Sequence, residues 1–126
     1  MPGERILIAE DNEKSMKLLR DVLQVKGYDT LEATTGERAV ELAVEHVPDL
    51  VLMDIQLPDL DGVEALSRLR ADERTAFIPV LALTAQAMLG DRERFLAAGF
   101  DGYVAKPVNV VELLATVRER CDGRGQ

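Results

Sequence analysis

Aromatic residues make up only 4% of this 126-residue chain, three Phe, two Tyr and no Trp, so its core must be built from Leu, Val, Ile, Ala and Met. Cysteine occurs once, at Cys121, and histidine once, at His46. A single cysteine cannot form an internal disulfide and suits a reducing cytosol. With one cysteine and one histidine there is also no Cys/His cluster to hold a soft metal. His46, just before Pro48, reads as a helix-end surface residue. Basic clusters are missing as well: 23 acids against 15 Lys and Arg give a net charge of -8, which argues against direct nucleic-acid binding.

Long hydrophobic runs are absent. The amino terminus offers only Ile6-Leu7-Ile8-Ala9 before acids begin, too short for a signal-peptide core or a ~20-residue membrane span. The chain is therefore expected to be soluble and cytoplasmic, with no membrane insertion. Its length fits one domain, expected over residues 1–121, and "DGRGQ" at 122–126 reads as a flexible tail with nothing after Cys121 to form an output domain.

What the chain does have is a series of short apolar runs, each closed by a polar group. Ile6 to Ala9 ends at Glu10 and Asp11, Leu50 to Met53 at Asp54, Val80 to Leu83 at Thr84, and Tyr103 to Ala105 at Lys106. Continuous apolar runs of this length suit parallel strands buried on both faces, and Tyr28 to Ala33, of mixed polarity, suits an edge strand.

Helical patterns lie between them. Met16, Leu19 and Leu23 recur at helical spacing and stop at Gly27; Thr34 and Glu37 have capping-box spacing ahead of Val40, Ala43 and Val44. Asp61 with Glu64 can cap a third helix carrying Leu66 and Leu69, Asp59 serves its turn, and Phe95 and Leu96 mark a fourth that ends at Gly99. Asn109 with Glu112 opens a fifth, carrying Leu113, Leu114 and Val117. Strand and helix thus alternate five times, which predicts an α/β, doubly wound parallel sheet with helices on both faces. In such sheets ligands bind outside the carboxyl ends of the strands. The polar closing residues sit at those ends.

Glu10, Asp11 and Asp54 would crowd one pocket there. Like charges that close either raise a pKa or require a cation, and hard oxygen donors point to Mg2+ or a similar ion. Thr84 and Lys106 aim a hydroxyl and an ammonium at the same place, an environment suited to a phosphoryl group with Asp54 as its nucleophile. The Lys106-Pro107 step after the last strand can be cis or trans.

The stretches "ILIAEDN", "DLVLMDIQLPDLDG", "PVLALTA" and "GYVAKPV" together resemble the response-regulator receiver domain of two-component signalling, from Arg5 to about Cys121. The resemblance implies a flavodoxin-like (CheY-like) five-stranded sheet of order 2-1-3-4-5 with five helices. It implies that Asp54 is the phosphoacceptor, charged by a sensor histidine kinase or a histidine phosphotransfer protein. By the same resemblance Asp11 and Asp54 ligate Mg2+ directly, the backbone carbonyl of Gln56 is a third ligand, and Glu10 assists through water. Thr84 and Lys106 then contact the phosphoryl oxygens, the bond after Lys106 is cis, and Tyr103 is the switch aromatic. The chain looks most like single-domain receivers of the cell-division regulator type and receivers of hybrid kinases. A downstream protein would be engaged through the fourth helix, last strand and fifth helix. A degenerate receiver working by protein contact alone is the alternative. An aspartyl-phosphate phosphohydrolase is disfavoured because Gln56 stands where its second acid would be, and a flavin mononucleotide protein because "AEDNEKS" puts carboxylates in its phosphate loop.

Overall fold

The computed structural model describes residues 3–85 and 91–124. Strands and helices alternate along the chain: β1 Arg5–Ala9, α1 Glu13–Val25, β2 Asp29–Ala33, α2 Gly36–His46, β3 Leu50–Asp54, α3 Gly62–Ala71, β4 Val80–Thr84, α4 Asp91–Ala98, β5 Gly102–Ala105 and α5 Val110–Arg124. All four strand pairings are parallel, in the order β2-β1-β3-β4-β5. β2 is the edge strand its mixed polarity foretold, while β3 and β4 are buried at every residue.

Because successive strand residues face opposite sides, the sheet separates two cores. Leu7, Val51, Met53, Val80 and Ala82 face α2, α3 and α4, meeting Ala39, Leu42, Leu66, Leu69 and Phe95. Ile6, Ile8, Leu50, Leu52, Leu81 and Leu83 face α1 and α5, meeting Met16, Leu19, Leu23, Leu113 and Val117. The same alternation carried to the strand ends puts Glu10 and Asp54 in phase with the α1/α5 side. Thr84 and Tyr103 fall in phase with the other.

Local signals set most helix ends. Asn12 caps α1 by accepting from the Ser15 N–H at 3.0 Å, and Gly27, at φ +92°, turns the chain after it. Asp61 accepts from the Glu64 N–H at 2.7 Å, and Asn109 from the Glu112 N–H at 3.1 Å, as their spacing predicts. Three details depart from expectation. The α2 cap is Thr35 rather than Thr34, accepting from the Arg38 N–H at 3.1 Å. Ala43 is buried as expected, together with Ala39 and Leu42, whereas Val40 and Val44 are half-buried. On α4 Phe95 is buried and points into the sheet, while Leu96, one position further round the helix, is 42% exposed. α5 runs to Arg124, into the stretch read as a tail; residues 125–126 lie outside those described. Among the described residues no helix is long and apolar enough to cross a membrane.

Candidate functional site

The carboxyl ends of β1, β3, β4 and β5 converge on a cavity of about 270 Å³ lined by Glu10, Asp11, Asp54, Gln56, Thr84 and Lys106, among others. Glu10, Asp54 and Thr84 are buried, at 1%, 5% and 3% exposure, whereas Asp11 is exposed. One carboxylate oxygen from each of Glu10, Asp11 and Asp54 can be chosen so that all lie within 4.8 Å of one another. Lys106 bridges two of these acids: its Nζ lies 2.7 Å from Glu10 Oε2 and 2.7 Å from Asp54 Oδ2. The Lys106-Pro107 bond is cis.

The remaining oxygens are held by backbone. Asp54 Oδ1 accepts from the Gln56 N–H at 2.8 Å, and Glu10 Oε1 from the Asn12 N–H at 3.1 Å. Each of these two acids therefore has one oxygen on a main-chain donor and the other on the lysine. Gly62 permits this local geometry, since a Cβ there would sit 2.7 Å from the Asp54 carbonyl oxygen.

Burial raises the Glu10 pKa above its ordinary 4.5, opposed by the Lys106 hydrogen bond and reinforced by the neighbouring Asp54. For Lys106 burial works against the charged form, yet hydrogen bonds to Asp54 and Glu10, with their charges, outweigh it and hold the pKa above 10.5. Three carboxylates share one ammonium among the described lining residues. The surplus of negative charge, presented by hard oxygens with one acid open to solvent, suits a divalent cation.

The chain's residues 6–118 match the family model described as "Response regulator receiver domain". The chain belongs to the response-regulator receiver family. It is similar to the polar-differentiation response regulator DivK of Brucella ovis, 46% identical over 113 residues that cover 90% of this chain and 92% of that protein. Among solved structures it resembles the receiver domain of the sensor histidine kinase PA1611 of Pseudomonas aeruginosa, with TM-score 0.88, 38% identity and coverage of 95% of this chain and 98% of that one. That crystal structure has a magnesium ion coordinated in its active-site cleft. The chemotaxis protein CheY4 of Vibrio cholerae superposes with TM-score 0.86 at 26% identity, covering 93% and 98% of the two chains. This chain is thus a DivK-like receiver of two-component signalling, with the flavodoxin-like sheet its sequence implied.

In this receiver the residues singled out from sequence do not all meet. Glu10, Asp11, Asp54, Gln56, Thr84 and Lys106 line one cavity, and Tyr103 does not. Tyr103 is half-buried on β5, in register with Ala82 and packed against the core that contains Phe95 and Phe100. Two participants escaped the sequence reading. Asn12 supplies a donor to Glu10, and its signal was an N-cap amide immediately after the two acids. Asp59 reaches across to α2 rather than serving only its own turn, which no local pattern indicates.

Proposed function

We propose that Asp54 accepts a phosphoryl group from the phosphohistidine of a sensor histidine kinase or a histidine phosphotransfer protein. In that transfer the donor's N–P bond breaks and a bond forms between phosphorus and an Asp54 oxygen, with the histidine ring as leaving group. The observation that carries this reading is the arrangement of three clustered carboxylates around a lysine that already touches the acceptor, with Thr84 on the rim of the same cavity. The Gln56 N–H holds one acceptor oxygen while the other faces Lys106, so the nucleophile is oriented before a donor arrives. Lys106 then neutralises oxygens of the incoming group, and Thr84 supplies a hydroxyl to them.

The donor set fits Mg2+: Asp11 and Asp54 would hold it directly, the Gln56 carbonyl would be a third ligand, and Glu10 would assist through water. When bound it supplies charge neutralisation for phosphoryl oxygens. Phosphorylation then biases a protein-binding surface made by α4, β5 and α5, with Thr84 and Tyr103 as the switch pair. The two residues share one face of the sheet on adjacent strands, which supports their coupling. A degenerate receiver is disfavoured because every position of this chemistry is filled.

The test is intact mass after incubation with acetyl phosphate, with and without Mg2+. Wild type should gain one hydroxylamine-labile phosphoryl group only with Mg2+, and Asp54→Asn none. No gain in wild type from acetyl phosphate or from a phosphorylated histidine kinase would sink the reading.

A further inference from the structure

We propose that Asp59, which is not among the residues lining the cavity, is a positioning residue that braces the acceptor loop against the amino terminus of α2. The inference rests on the roles given above to Asp54 and Gln56.

The β3–α3 loop, residues 55–61, begins beside the acceptor and is closed at its base. The Gly62 N–H donates to the Ile55 carbonyl at 2.8 Å, and Gln56 bridges Asp61. Leu57 is buried and anchors the first half of the loop in the core shared by α2 and α3. That leaves Pro58, Asp59 and Leu60 as the tip. A loop tip is ordinarily the least constrained part of a connection. Here it is gripped.

Asp59 Oδ1 accepts from the Gly36 N–H at 2.7 Å and Oδ2 from the Glu37 N–H at 3.0 Å. Both donors belong to α2, more than twenty residues earlier in the chain. They lie in its first turn, where N–H groups lack intrahelical partners, and Thr35 caps a different one, that of Arg38. Leu60 completes the grip, because a Cβ at Gly36 would come within 2.8 Å of its own Cβ. The absence of a side chain at Gly36 therefore lets the tip lie directly on the helix end. The Glu37 and Gly36 N–H groups also keep the Asp59 carboxyl below its ordinary range, so the brace stays ionised.

Gln56 lies between the fixed base and the fixed tip. Its N–H positions Asp54, and its carbonyl is the ligand assigned to Mg2+. Tying the tip removes conformations in which that carbonyl points elsewhere, and groups that orient metal ligands without touching the metal carry a measurable share of affinity. Asp59 thus supports the site from outside it.

The experiment titrates Mg2+ alone into the full chain and follows amide NMR shifts, comparing wild type with Asp59→Ala, Asp59→Asn, Thr35→Ala and Asp54→Asn. Thr35→Ala weakens the same helix terminus without touching the loop, which separates loop positioning from loss of α2 stability. Asp59→Ala should raise the Mg2+ dissociation constant about ten-fold. Asp59→Asn, keeping one acceptor oxygen, should raise it less, and Thr35→Ala should leave it near wild type. Thermal melts of each variant establish that it is folded at the titration temperature. Asp59→Ala binding Mg2+ as wild type does, or Thr35→Ala weakening it equally, would overturn the brace. Wild type and Asp54→Asn binding Mg2+ alike would instead overturn the site reading, and the brace with it.

Discussion

The two ends of the same parallel strands treat their acids in opposite ways. At the amino-terminal edge Asp49 and Asp101 stand apart from one another, each on its own donors. Asp49 Oδ2 accepts from the Arg5 N–H at 2.8 Å, and Asp101 Oδ2 accepts from the Val80 N–H at 2.8 Å and from Arg70 at 2.9 Å. Arg70 also donates to the carbonyls of Ala76, Ile78 and Gly99, and Arg120 donates to the Asp101 carbonyl. At the carboxyl-terminal edge three carboxylates cluster together, and Lys106 bridges two of them. Compensated charge at one end ties elements together, and surplus charge at the other suits a cation. The same residue types thus serve architecture below the sheet and chemistry above it.

Substitutions can break this contrast from either side. The largest effect is expected from Lys106→Met, which leaves Glu10 and Asp54 buried without their shared cation. Phosphoryl acceptance measured by mass should fall about 100-fold or more, as removal of a preorganised charge-stabilising donor does. Denaturant unfolding at neutral pH without metal should show a loss of about 2–3 kcal/mol, reduced by Mg2+ or by acid because either relieves the carboxylate repulsion. Asp101→Ala should do the reverse. It strands the Val80 N–H and Arg70 and should cost about 2 kcal/mol, with acceptance by Asp54 unchanged.

A smaller effect is the pH dependence of the cavity itself. Glu10 has a folded pKa above its unfolded 4.5, so the folded state binds the proton more tightly and the contribution of Glu10 to stability is fully present below pH 4.5. It is lost as pH rises through the raised value. Lys106 follows the same sign higher up, contributing fully below pH 10.5 and losing that contribution as pH climbs through its raised folded value. Mg2+ affinity should consequently weaken as pH falls and Glu10 takes up its proton, a trend that titrations at several pH values would show and that Glu10→Gln should flatten.

The smallest effect belongs to the amino-terminal edge, where Val47 closes α2 at φ +46°, a left-handed conformation costly for a β-branched residue. Val47→Gly should raise stability by under about 1 kcal/mol, with no change in phosphoryl acceptance. A loss of acceptance from either amino-edge variant would collapse the division of labour between the two edges.

Much of this was legible beforehand because its causes are local. Apolar runs of strand length, glycines after helices and Asp or Asn ahead of them follow from backbone geometry, so β1, β3, β4, β5 and the caps at Asp61 and Asn109 could be read directly. The α2 start was misplaced by one residue because Thr34 has capping-box spacing to Glu37 while the cap used, Thr35, is followed three residues later by Arg38. What selects Thr35 is the arrival of Asp59 and Leu60 from another part of the chain. Phe95 and Leu96 marked the fourth helix, but two adjacent apolar residues in a short helix do not reveal which faces the sheet.

By itself, the sequence determined that Glu10, Asp11, Asp54, Thr84 and Lys106 would all leave strands at one sheet edge, because parallel strands linked by helical crossovers must end on the same side. Tertiary structure alone decided how they divide there. Lys106 spans Glu10 and Asp54 at 2.7 Å, Tyr103 stays outside the cavity, and Asp59 ties the β3–α3 loop to α2. Those relations depend on strand order and side-chain reach between residues distant in the chain, and such distances have no signature in local spacing.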